Sequence, residues 1–321
     1  MNQNDQITLS LQLLARKAFE EDKIELLIGF EISPDGYARP RIFRSVEELD
    51  SLAWNHTASI NLANYLHKYK DKKVGIIAQG CISRSIVALM NEGQFDRNKV
   101  IIIGVPCQGV IDEKKIRAEY GEFTILLEEE DEIGIKTHSG EQIMEEENYF
   151  HSACLSCQYP DPVIYDYLAE GKSRKVTVDY LDKIVKEAEA LPEEEKIAKF
   201  TTEMEKCIRC YACRQACPMC YCDTCFVDVN SPKWLSNAPN KTDNSIWNIT
   251  RIFHLAGRCV ECGACDRACP ENIDLMYLIA KMNRDTKDLF GFTAGLKLGV
   301  KPGLNTFQPN DPDFFWGKEG V

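Results

Sequence analysis

Cysteine is where this chain concentrates its chemistry: of fifteen cysteines, eleven fall between Cys207 and Cys269. One run reads Cys207-Ile-Arg-Cys210-Tyr-Ala-Cys213-Arg-Gln-Ala-Cys217-Pro218, and a second reads Cys259-Val-Glu-Cys262-Gly-Ala-Cys265-Asp-Arg-Ala-Cys269-Pro270. Both follow C-x2-C-x2-C-x3-C-P, the spacing with which bacterial ferredoxins hold 4Fe–4S clusters. Three cysteines two residues apart let a tight loop wrap one face of a cubane. The fourth, beside a proline that bends the chain away, reaches the neighbouring cluster. This assigns Cys207, Cys210, Cys213 and Cys269 to one cluster, and Cys259, Cys262, Cys265 and Cys217 to the other. Zinc ribbons usually show two C-x2-C pairs rather than this signature, and a disulfide framework would need an exported protein.

Four cysteines lie outside that stretch. Cys81 and Cys107 follow the apolar runs Lys73-Val-Gly-Ile-Ile-Ala78 and Lys99-Val-Ile-Ile-Ile-Gly-Val105, each of which reads as a buried parallel strand. Loops at the carboxyl ends of such strands gather at one sheet edge, where ligands bind. Cys154 and Cys157 form a C-x2-C pair. Together the four thiols could ligate a third 4Fe–4S cluster or a zinc ion. Alternatively, Cys81 and Cys107 are small buried apolar residues.

The elements that must position these residues are legible in outline. A helix is expected over residues 10–21, and a strand over 23–30 that ends at the turn Pro34-Asp-Gly36. Ser45-Val-Glu-Glu48 reads as a capping box, and a helix over about 83–92 stops at Gly93. Residues 122–127 form a further strand. The alternation makes residues 1–183 an α/β domain with a mixed or parallel sheet. Residues 184–200 read as a helical connector, acidic from Ile184 to Pro192, with the next helix feeding into Cys207. Residues 201–285 read as a helical, loop-containing ferredoxin-like domain with two 4Fe–4S clusters. Within it lie a loop-rich insertion, Asp228 to Asn248, and a helix from about Asp274 to Asn283. Residues 286–321 form a Gly/Pro/aromatic tail with Phe307 and Asp313-Phe-Phe-Trp316, either a docking segment or a cover for the chain's own core.

Three pieces, Val74-Gly-Ile-Ile-Ala-Gln-Gly80-Cys81-Ile-Ser-Arg84, Ile101-Ile-Ile-Gly-Val-Pro106-Cys107 and Cys154-Leu-Ser-Cys157-Gln-Tyr-Pro-Asp-Pro162, resemble the iron–sulfur beta subunits of deazaflavin-linked hydrogenases and formate dehydrogenases. Arg251-Ile-Phe-His254-Leu-Ala-Gly257-Arg258-Cys259 shares the likeness, which spans most of residues 23–280. The resemblance implies an N-terminal domain with its own 4Fe–4S cluster, ligated by Cys81, Cys107, Cys154 and Cys157. Members that reduce the deazaflavin coenzyme also bind FAD in that domain and are typically longer. For such a flavin this chain offers Gly80, a helix N-terminus and Arg84, without a Gly-rich phosphate loop. A tight strand-to-helix turn needs a glycine in any case, and Arg84 could instead hydrogen-bond near the Cys81 cluster and raise its potential.

Three thiols exceed what three clusters use: Cys220, Cys222 and Cys225. A fourth cluster would need another ligand, such as Asp223, a histidine or a partner's residue, and a zinc site would fall equally short. The bland alternative is free or core thiols. The histidines at 56, 67, 138, 151 and 254 show no hydrolytic pattern; His254 could donate to a cluster sulfur, with a surface role the simpler reading. Arg209, Arg214, Arg258 and Arg267 sit where they could offset cluster charge. Neither a Ser–His–Asp arrangement nor a Walker loop is found, so no substrate bond is made or broken by these residues alone.

The chain has 321 residues, 44% hydrophobic and 27% charged, with a net charge of −12. That balance excludes nucleic-acid binding by phosphate neutralisation. The acidic runs Glu128 to Glu132 and Glu145 to Glu147 read mainly as solvated surface, although they could steer a basic partner. With no signal peptide and no bilayer-length apolar run, a cytoplasmic, reducing and anaerobic setting is expected. The expected role is an electron-transfer subunit of an oxidoreductase complex. Its implied partners are a formate dehydrogenase or hydrogenase type subunit and a flavin subunit of the heterodisulfide reductase type. The alternatives are an FAD-containing subunit that itself reduces a deazaflavin or similar hydride carrier, and an iron–sulfur sensor or scaffold.

Overall fold

The computed structural model describes residues 2–129, 132–176 and 179–302 of the chain. Helix α1 (Gln3–Glu20) starts earlier than apolar periodicity suggests, because Asn2 and Asp5 cap its first turn reciprocally. It buries Ile7, Leu11, Ala15 and Ala18, one stripe along the helix.

The strands are β1 (Leu26–Ile32), β2 (Ala38–Phe43), β3 (Val74–Ala78), β4 (Val100–Gly104), β5 (Phe123–Glu129), β6 (Glu132–Thr137), β7 (Gly140–Glu145) and β8 (Tyr167–Leu168). One sheet has the order β2-β1-β3-β4-β8. β1 and β2 are antiparallel, whereas β1, β3, β4 and β8 run parallel, so the sheet is mixed. Its core is Leu27, Ile28, Phe30, Ile76, Ile77, Ile102 and Ile103, all inaccessible to solvent. The Ser45 capping box is incomplete: Glu48 reaches the Arg44 N–H instead, and residues 46–51 form only a 3-10 turn.

A second sheet, β5-β6-β7, is an antiparallel meander, of which only β5 is expected from sequence. It closes over a small core of Ile116, Phe123, Ile133, Ile135, Met144 and Phe150.

The helices that follow are α2 (Gly80–Asn91), α3 (Glu113–Tyr120), α4 (Ser152–Leu155), α5 (Tyr180–Ala190), α6 (Glu193–Lys206), α7 (Ala212–Gln215), α8 (Lys241–Leu255), α9 (Ala264–Arg267) and α10 (Met276–Phe290). The expected connector is no mere spacer: Leu181 and Val185 of α5 pack with Ile252 of α8 and with Met276 and Ile279 of α10. The expected loop-rich insertion is corrected from Lys241 onward, where α8 begins, capped by Asn240 through the Asp243 N–H. The last helix also extends beyond Asn283 and ends at Gly291, whose φ is 61°. Of the tail, Phe307 and Asp313 to Trp316 lie outside the described residues, as does part of the Glu128 to Glu132 run.

Candidate metal centre

The two ferredoxin runs adopt one backbone twice. Arg209 and Glu261, equivalent in the repeat, have φ of 50° and 58°; Tyr211 and Gly263 have 59° and 69°. Left-handed non-glycine residues are uncommon and cluster at functional sites. Alternating hand in a short loop turns successive N–H groups inward, the concave anion-binding arrangement found at iron–sulfur sites. The one-turn helices α7 and α9 complete the repeat and pack on each other.

The thiols group across the runs rather than within them. Cys207, Cys210, Cys213 and Cys269 line one recess of about 40 Å³, with Cys265 on its inner wall. Burial pushes the Cys213 thiol up to about 11, with Cys265, Cys207 and Cys269 contributing as neighbours. Cys259 is raised by burial and then by Cys262, Cys217 and Cys265. Cys217 thus sits with the second run and Cys269 with the first.

The four N-terminal thiols converge from separate elements. Cys81 is in the first turn of α2, at the end of β3; Cys107 follows β4; Cys154 is in α4, and Cys157 lies just beyond it. They line a cavity of about 350 Å³ that also holds Cys259, Cys262 and Arg267 on its walls. Burial raises the Cys81 thiol, and its nearest charged neighbours are Cys262, Cys107, Cys157 and Cys154. The three sets therefore form a series. The first meets the second at Cys213 and Cys265, and the second meets the third at Cys262 and Cys81.

These residues fit an anionic metal–sulfur group. All fifteen cysteines are free thiols. Among the described residues, no three His, Cys, Asp or Glu side chains close on a single ion-sized point. The sulfurs line the two recesses from several sides. Buried donors face these spaces: Arg251 Nε, and Arg267 Nε and Nη1, make no hydrogen bond among the described residues.

Gly80 and Arg84 are explained by packing. The Gly80 N–H donates to the Pro160 carbonyl at 3.3 Å, and a Cβ at Gly80 would fall 1.8 Å from the Tyr159 carbonyl oxygen. The helix N-terminus is thus covered by the segment that follows Cys157. Arg84 is 5% exposed; it donates to Ala294 O from Nε (3.2 Å) and Nη2 (2.9 Å), and to Val260 O from Nη1 (3.1 Å). It pins α2 to the second cysteine run.

The leftover thiols have different neighbours. Cys220 neighbours Cys217 and Arg251; Cys222 is exposed; Cys225 neighbours Arg214 and accepts the Asp228 N–H at the cap of a 3-10 turn. Of the four arginines singled out in the sequence, Arg258 forms a two-pronged pair with Glu92 at 2.6 and 2.7 Å, and Arg214 pairs with Asp228 at 2.9 Å. Arg209 donates to the carbonyls of Ser236 and Ala238. Arg267 alone of the four lines the N-terminal cavity. His254 is exposed, with its ring edge-on to Phe226.

Sequence reasoning missed three side chains. His151 caps α4 by accepting the Ala153 N–H, and its Nε2 lies 2.9 Å from Asp266, next to Cys265. Asn248 directs its amide at Cys207 Sγ (3.8 Å), and Arg251 donates from Nη2 to Cys213 O (3.1 Å). Asn244, Asn248 and Arg251 recur at helical spacing, which was the available signal.

A cysteine-lined frame of this kind has relatives. Residues 203–273 match the family model of the 4Fe-4S dicluster domain. The chain is similar to the F420-dependent formate dehydrogenase subunit beta of Methanocaldococcus jannaschii, at 23% identity over 82% of this chain and 85% of the relative. It is also similar to the F420-dependent formate dehydrogenase 1 subunit beta of Methanococcus maripaludis, at 21% identity over 94% and 93% of the two chains. The likeness of the cysteine loops to formate dehydrogenase beta subunits thus holds along most of the chain. No helix among the described residues is long and apolar enough to cross a membrane.

Proposed function

We propose that this chain is an electron-transfer subunit of an anaerobic, cytoplasmic oxidoreductase complex, relaying electrons through three 4Fe–4S clusters. The observation that carries it is the series of thiol sets, the first beside the second at Cys213 and Cys265, and the second beside the third where Cys262 neighbours Cys81 and Cys154. Such clusters supply one-electron carriers whose potentials follow net charge, hydrogen bonds to sulfur and exposure. The proposed ligands are Cys207, Cys210, Cys213 and Cys269; Cys217, Cys259, Cys262 and Cys265; and Cys81, Cys107, Cys154 and Cys157. The chain's other residues fix these loops, exclude water and offset negative charge. Residues 1–183 would be the first unit, 184–200 a connector built into the second, and 201–285 the ferredoxin module.

By likeness to the relatives, one partner would be a formate dehydrogenase or hydrogenase type catalytic subunit. The other would be a flavin subunit of the heterodisulfide reductase type.

A second reading is an FAD subunit that reduces a deazaflavin itself. In its favour, the 350 Å³ cavity continues past the thiols to Asn283, Lys287 and Phe292. Against it, Gly80 and Arg84 are engaged within the fold.

Iron, sulfide and flavin per anaerobically purified chain decide among these. About twelve irons without flavin support the wire, at about four irons per cubane. About eight would leave the N-terminal thiols without a cluster, and near sixteen would add one at Cys220, Cys222 and Cys225. One tightly held flavin would favour the second reading.

A further inference from the structure

Among the described residues, Arg251 has no carboxylate partner in keeping with its burial. It lies on the inner face of α8 and is 3% exposed. Its one described hydrogen bond runs from Nη2 to Cys213 O (3.1 Å), and Nε is without a partner. Its strongest electrostatic neighbours are all cysteines: Cys265, Cys217, Cys213 and Cys220. Burying an uncompensated guanidinium is expensive, and such a charge is normally paired or neutralised. The compensating anion must arrive with whatever the thiols hold.

The neighbours belong to both ferredoxin sites. Cys213 is in the first set, and Cys217 and Cys265 are in the second. We infer that Arg251 is the cation shared by these two sites, stabilising the reduced state of both at once. The inference rests on the cluster reading above. Reduction adds one electron to a group whose thiolates already make it anionic, so a fixed buried positive charge favours the reduced form. An arginine suits the place better than a lysine because its planar, weakly hydrated head tolerates burial and spreads its donors. The rest of the inner face acts in the same sense: the Asn248 amide is aimed at Cys207 Sγ, and Asn244 holds the Met204 and Cys207 carbonyls at 2.9 and 2.7 Å.

The test is an anaerobic redox titration of the full chain, followed by EPR, in wild type, Arg251→Met, Arg251→Gln and Arg251→Lys, with iron counted in each. Both neutral variants should lower both ferredoxin potentials by at least about tenfold in the one-electron equilibrium, about 59 mV. Arg251→Lys should recover most of that shift. The N-terminal set, whose cavity Arg251 does not line, should titrate as in wild type. Unchanged potentials in a fully loaded neutral variant would overturn the inference. So would a shift confined to one cluster. Where neutral variants fail to load iron, full loading of Arg251→Lys supports a charge role, and its failure alongside them refutes one. A wild type with fewer than about eight irons would instead overturn the underlying cluster reading.

Discussion

Serine in place of Cys107 removes one thiolate from a set whose other members are Cys81, Cys154 and Cys157. The expected loss is about four irons per chain, with the EPR of the ferredoxin pair retained. Unchanged iron and an unchanged spectrum would mean that this set holds no cluster. Gly80→Ala probes the same set from the backbone side. Its Cβ would meet the Tyr159 carbonyl at 1.8 Å, and backbone cannot move aside as a flexible side chain can. The variant should lose roughly 1–3 kcal/mol of stability by denaturant titration and part of the N-terminal iron, because the Cys157 to Pro160 segment is pushed off α2. Arg84, by contrast, has its guanidinium on Ala294 and Val260 carbonyls, so its loss should loosen the seam between the two regions.

Helix α8 shows why part of the site was hidden from its sequence. A surface helix normally turns its apolar stripe inward. Here Asn244, Asn248 and Arg251 are buried beside Trp247, Ile252 and Leu255, while Ile246, Ile249 and Phe253 are exposed. The inversion follows from what the inner face meets: sulfur and loop carbonyls, which call for donors. Apolar periodicity therefore fails where the function lies, and the stretch reads as a loop. The parallel strands were legible because Ile76, Ile77, Ile102 and Ile103 form continuous apolar runs, and the cysteine loops because their spacing is specific. Strands β6 and β7 were not, since their buried large apolar residues are just Ile133, Ile135 and Met144, set among glycines and charged residues. Helix α2 makes a further prediction at this scale. Glu92 at its C-terminal end receives Arg258 in two prongs and the Tyr221 hydroxyl at 2.5 Å. Glu92→Gln leaves a largely buried guanidinium underpaired, and should cost about 3 kcal/mol in a thermal or urea unfolding series.

Across the molecule, the sheet region holds most of a large apolar core, whereas the helical region has only a small apolar cluster around Leu181, Val185, Ile252, Met276 and Ile279 beside its thiols and buried donors. Stripping iron with a chelator under reducing conditions should therefore expose α7, α8 and α9 to hydrogen exchange first, with β1, β3 and β4 still protected. Equal loss of protection in both regions would show that the sheet depends on the metal too. The crossing of the two cysteine runs carries a consequence for biogenesis. Cys217 sits with partners that are synthesised some forty residues later, and Cys207, Cys210 and Cys213 wait for Cys269. On the proposed ligand sets, the second site therefore waits for Cys265 and the first for Cys269. A chain stopped before Cys259 would leave both sites short of ligands, and one stopped between Cys265 and Cys269 would leave only the first incomplete.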